Sequence, residues 1–118
     1  MSFESDFYTA LTSLTSGRVY PDIAPLGATR PYIIYQQVGG DAVSFLASAT
    51  VGKRNARMQV ECYADTRITA AALARSVEDA LVVSTTIRAI PQGAMVATLE
   101  NDLTPPLYGT RQMFSAWY

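Results

Sequence analysis

Lys53 is the chain's one lysine, Cys62 its one cysteine, and histidine does not occur. Those three facts restrict the chemistry open to it. A hydrolytic triad needs a base between nucleophile and orienting acid, and the usual imidazole is missing. Lysine can take that role when desolvated, but Lys53 stands in a polar, basic stretch that reads as a solvated charge. A single cysteine allows neither an intrachain disulfide nor a cysteine-based zinc cage. Cys62 falls on the apolar side of an alternating segment, where burial raises a thiol's pKa and hides it, so it reads as a small core residue.

The carboxylates occur in two close pairs, Glu78-Asp79 and Glu100 with Asp102. Such pairs can do acid/base work or hold a hard cation. Here the first pair is adjacent on a predicted helix, so its members point in different directions, and the second sits at a strand end; solvated surface and turn capping account for both. Gly39-Gly40 follows a strand but belongs to no phosphate-binding pattern. No catalytic residue, cofactor site or metal site emerges. Lys53, Arg54 and Arg57 form the one local basic concentration, open to three readings: a solvated hairpin base, a protein interface, or phosphate contact.

A chain of 118 residues suits one domain and one core over residues 1–118. The composition is 49% hydrophobic and 16% charged, with a positive mean hydropathy of +0.11. That argues against disorder and leaves a thin charged surface, so part of the apolar surface is expected to meet a partner. A net charge of −1 supplies no general field for nucleic acid or an acidic membrane. No run approaches the roughly 18 to 20 apolar residues that span a bilayer, and Met1-Ser2-Phe3-Glu4-Ser5-Asp6 lacks the features of a secretion signal, so folding in a cytoplasm is expected.

The elements that would position any site follow from periodicity. Phe3, Phe7, Ala10, Leu11 and Leu14 predict a helix from about residue 3 to 15, stopped at Gly17. Residues 19–31 hold Pro21, Pro25, Gly27 and Pro31 and read as a connector. Tyr32 to Val38 is a strand by its β-branched and aromatic content. Residues 56–64 alternate, with Ala56, Met58, Val60, Cys62 and Ala64 on one face and Arg57, Gln59, Glu61 and Tyr63 on the other. Between these strands, residues 41–52 also alternate, which fits a long hairpin arm with its tip near Ala47-Ser48-Ala49.

Asp65 or Thr66 can cap a second helix reaching about Val82, its stripe made of Ala70, Leu73, Ala74, Val77, Ala80 and Leu81, with Arg67, Arg75, Glu78 and Asp79 toward solvent. Strands are expected over residues 85–90, 95–100 and 110–118, with Asn101 to Gly109 as a break. Met113 to Tyr118 carries large apolar side chains on both sides of its strand, as in a sheet interior or against another subunit. The order gives an α+β domain: a largely antiparallel sheet of four to five strands, two helices packed on it, and the β-hairpin arm.

The succession of the helix ending at Leu14, Val19-Tyr20-Pro21, Ala24-Pro25 with Gly27, Pro31 to Gln36, Arg57 to Ala64, the Ala-rich helix with Val77 and Leu81, and Phe114-Ser115-Ala116-Trp117-Tyr118 covers nearly the whole chain. In that order and spacing it resembles the small tail-completion, or tail-terminator, proteins of long-tailed bacteriophages and prophages, which take part in head-to-tail joining. The resemblance implies a structural protein without an active site or cofactor. It also implies a homo-oligomer, typically a hexameric ring, that caps the finished tail tube and meets a tail tube protein and a head-to-tail connector. Its place would be the virion tail, after assembly in the bacterial host cytoplasm. No membrane partner and no specific nucleic-acid recognition are implied, although DNA can pass through such a ring.

A closed ring needs a heterologous contact between two different patches. The candidate interface residues are Val43, Phe45, Leu46, Val51 and Arg54 in and beside the arm, Arg57 and Tyr63 on the outer face of the alternating strand, and Trp117 and Tyr118 at the end of the last strand. Two other roles remain: a head-to-tail connector or minor tail component, and a small α+β ligand-binding or catalytic dimer using a sheet face with Tyr35, Arg57 and Tyr63.

Overall fold

The computed structural model describes residues 3–40, 55–84, 87, 89–100 and 106–117. Val43, Phe45, Leu46, Val51, Arg54 and Tyr118, and with them the predicted arm, lie outside the described residues.

The chain opens with α1 (Phe3–Leu11), which tightens into a 3-10 turn over Thr12–Thr15. Ser16 and Gly17 then take left-handed backbone, and the Gly17 N–H closes onto the Thr12 carbonyl at 2.8 Å, a terminus that glycine adopts without a Cβ penalty. The strands are β1 (Val19–Pro21), β2 (Tyr32–Gln37), β3 (Asn55–Ala64), β4 (Ile90–Pro91), β5 (Val96–Glu100) and β6 (Leu107–Trp117). The second helix, α2 (Arg67–Val83), lies between β3 and β4 in sequence. Thr66 is its N-cap, with Oγ1 accepting from the Thr69 N–H at 3.1 Å; Asp65 instead pairs with Arg30 at 2.9 Å.

One six-stranded sheet runs β1-β2-β3-β6-β4, with β5 paired to β6 as well. β1 lies parallel to β2 and every other pairing is antiparallel. The α+β class holds, with six strands where four to five were expected. β1 went unread because it is three residues long and ends in proline. β6 starts at Leu107, inside the predicted break, because Gly109 is a packing notch: a Cβ there would stand 2.5 Å from Thr98 Oγ1 and 2.7 Å from the Tyr63 ring. The strand expected over 85–90 survives among the described residues only as Ile90–Pro91, since Ile87 and Ala89 turn into the core.

β4 and β5 share one edge of β6 without forming a continuous strand. Pro91 is opposite Phe114 and Val96 is opposite Arg111, so residues 92–95 bulge against Gln112 and Met113 alone. The buried Gln112 amide closes the gap, donating to the Gly93 carbonyl at 3.0 Å and to Glu78 Oε1 of α2 at 2.7 Å.

The core occupies one side of the sheet. Ile33, Tyr35, Ala56, Met58, Val60, Cys62, Phe114 and Ala116 face Phe7 and Leu11 of α1 and Leu73, Ala74, Val77 and Leu81 of α2. Strict alternation in β3, buried at every second residue, is what a strand with one covered face must show.

Candidate assembly surface

The pairing register collects the second face of the sheet. Tyr63 stands between Tyr32 and Gly109, Glu61 between Ile34 and Arg111, Gln59 between Gln36 and Met113, and Arg57 beside Ser115. Asn55 and Trp117 end the face. None of the helical residues of the core cluster lies over it; these side chains are half-buried or exposed, with Gly109 as the exception.

The two ends of this face differ. At one end an aromatic row runs across the strands: Tyr20 and Tyr32 meet edge-on at 6.1 Å between ring centroids, Tyr32 and Tyr63 tilt together at 5.3 Å, and Tyr63 lies over the Gly109 notch. The Tyr63 hydroxyl donates to Glu61 Oε2 at 2.9 Å, and Arg111 reaches the same oxygen at 3.4 Å. Burial, followed by the Glu61 hydrogen bond, pushes the Tyr63 phenol above its usual range, so it remains a proton donor. Tyr32 shifts upward for the same first reason. Tyr32, Ile34, Tyr63, Glu100 and Leu107, with Ile23 and Ala24 from the β1–β2 connection, line an open cleft of about 320 Å³. Ile23 is exposed, as is Leu26 of the same connection.

The other end is polar apart from Trp117 and carries the stem of a hairpin. Beyond β2 the ladder continues, with the Val38 N–H donating to the Arg57 carbonyl and the Arg57 N–H to the Gly39 carbonyl, both at 2.8 Å. Gly40 comes so close to Asn55 that a Cβ there would overlap the Asn55 carbonyl. Arg57 Nε donates to Gln92 Oε1 at 3.2 Å, and Asn55 Nδ2 to Ser115 Oγ at 2.8 Å.

Of the sequence-predicted interface residues, Arg57, Tyr63 and Trp117 are therefore brought to one face, though Tyr63 and Trp117 stand at opposite ends of it. Tyr35 is not with them. It pairs with Val60, faces the core and packs on Phe7 at 5.4 Å, so the Tyr35–Arg57–Tyr63 face imagined for a ligand-binding dimer is not assembled. Arg67 is likewise not solvated: it donates to the Gly109 and Thr98 carbonyls at 2.6 and 2.5 Å and lies over the Tyr108 ring at 5.4 Å, fastening α2 to the β5–β6 pair. Cys62 faces the core, where burial pushes its thiol up to about 12. Tyr32, Leu107, Glu100 and Ile23 were missed as members of the cleft. Tyr32 and Leu107 could have been found only from register, which needs the partner strand.

Among the described residues the chain is a two-layer α+β fold, with its helices on one side of the sheet and a partly aromatic face on the other. The sequence matches the family described as tail completion protein gp17 over residues 8–102, and the chain belongs to that family. It is thus a structural protein of the phage tail. No curated protein matches it. Among solved structures, a chain from "Virion of native gene transfer agent (GTA) particle" is similar in fold, with a TM-score of 0.53 and 22% sequence identity over 94% of this chain and 90% of that one.

Proposed function

We propose that the protein forms a ring at the end of the tail tube, terminates the tube and helps to join tail to head. The observation that carries this reading is the sheet face that no described helix covers, with its two dissimilar ends, one a row of tyrosines and the other mainly polar with Arg57, Asn55 and Trp117. Unlike ends favour a heterologous contact, in which one patch of each copy meets a different patch of the next, and such contacts close into rings when the rotation allows. Family membership supports the tail location, and the gene transfer agent particle that holds the similar fold is itself a virion.

In this reading the ring is a hexamer. Its two rims meet the tail tube protein and the head-to-tail connector, DNA passes through its centre, and assembly takes place in the host cytoplasm. Residues 43–51 form one side of the contact and the outer face of residues 57–63 the other, with Trp117 and Tyr118 nearby. Native mass measurement with negative-stain imaging, with and without tail tubes, tests the proposal. Rings that cap tubes are the expected result; a strict monomer at high concentration that fails to bind tubes overturns it. Phe45→Asp is expected to weaken assembly and leave the melting temperature unchanged, because an unpaired charge buried at an interface costs about 2 to 5 kcal/mol.

A further inference from the structure

The strand register gives the sheet face away from the helices a pattern of its own. Its middle row is Gln36, Gln59 and Met113. One step toward the tyrosines the row holds Glu61, Arg111 and Val96; one step the other way it holds Arg57, Ser115 and Ile90. A two-fold axis lying in the plane of the face along the middle row lays β3 on β3 and β6 on β6 of a second copy, and exchanges the two flanking rows.

The exchange brings together groups that complement each other. Glu61 comes over Arg57 of the second copy. Tyr63 and Arg111 both reach Glu61 through Oε2, and Arg57 engages Gln92 through Nε. Among the described residues the other carboxylate oxygen and the other guanidinium nitrogens have no hydrogen-bond partner, and the symmetry joins them twice in each pair. Val96 comes over Ile90, and both are exposed apolar side chains in a single copy. Trp117 and Gly109 stand four residues to either side of Met113 on β6, so the indole arrives at the notch where the Tyr63 ring lies.

Charge also selects the register. An axis one row away in either direction sets Glu61 on Glu61 or Arg57 on Arg57, and like charges oppose both. The rows from Gly109 to Trp117 run about 26 Å along the strands and the four strand positions about 19 Å across them, so roughly 500 Å² of each copy is covered, near the lower limit for a specific contact. A weak, reversible pair follows.

We infer that the free chain pairs face to face with a second copy about this two-fold axis, and that pairing holds the face back from ring closure. The holding role rests on the ring reading, which gives the outer face of residues 57–63 to a ring contact. One face cannot serve both contacts at once, so pair and ring exclude each other.

Sedimentation equilibrium of the full chain without tail tubes tests the pair, and a monomer–dimer equilibrium is expected. Val96→Lys alone and Ile90→Glu alone are each expected to raise the dimer dissociation constant at least tenfold without moving the melting temperature, since both side chains are exposed. Both substitutions in one chain set lysine over glutamate and restore pairing at least partly. Met113→Cys, treated with a short bismaleimide, is expected to give crosslinked dimers and no longer ladder, because a residue meets its own copy on a two-fold axis and not in a head-to-tail contact; the native Cys62 is buried and silent. A monomer at every concentration, or a dimer indifferent to these substitutions and not crosslinked at position 113, overturns the pair and leaves the ring standing. Dimers that respond as expected in a chain that never caps tail tubes overturn the ring reading, and with it the holding role, but not the pair.

Discussion

The two faces of one sheet have nearly the same backbone and opposite chemistry. On β3, Met58, Val60 and Cys62 are sealed under two helices, while their neighbours Arg57, Gln59 and Glu61 lie on a side that the core helices do not cover. The covered face holds the fold by apolar burial, at about 25 cal/mol per Å² removed from water. The other face contributes through cross-strand pairs such as Tyr32–Tyr63 and Glu61–Arg111, each worth about 0.2 to 1 kcal/mol. Stability therefore resides on one side and recognition is free to reside on the other.

That division can be broken by substitution. Met58→Asp, which puts a charge at a position with no solvent exposure, is expected to cost about 3 to 5 kcal/mol or to abolish folding, seen as a lost cooperative melt in circular dichroism. Arg67→Met removes two hydrogen bonds from a charged donor to the Gly109 and Thr98 carbonyls and is expected to cost about 2 kcal/mol in urea unfolding. Hydrogen exchange should then quicken first in β5.

Alkaline pH sharpens the same contrast. The buried Cys62 thiol titrates near 12 in the folded chain against 9.0 when unperturbed, so folding favours its neutral form. Its contribution is complete below pH 9 and is lost as pH rises from there toward 12, at about 1.4 kcal/mol per pH unit. Cys62→Ala is expected to remove that part of the alkaline slope. The smallest effect belongs to the bare face: Arg57→Glu should change stability by less than about 0.5 kcal/mol while weakening self-association in sedimentation.

What the sequence revealed follows the same division. β3 and α2 were legible almost to the residue, because a period of two or 3.6 is written wherever one side is covered and the other is not. The cap at Thr66 and the stop at Gly17 carried local signals of their own. Register carried none. Tyr35 looked like a companion of Tyr63 until pairing with Val60 placed it among the core residues. Arg67 looked like an ordinary helix-surface cation because its carbonyl partners lie 31 and 42 residues away. The start of β6 was hidden by residues that read as breakers, Pro105, Pro106 and Gly109, although Gly109 is required there by the ring of Tyr63 above it.

The interruption at residues 92–95 has a bearing on solubility. An unbroken outer strand is a template on which further chains can add without end, the route from sheets to fibres. Here that border is split into two short pieces, and the Gln112 side chain stitches the gap from within. Strand-by-strand growth finds no straight rail to follow along that border.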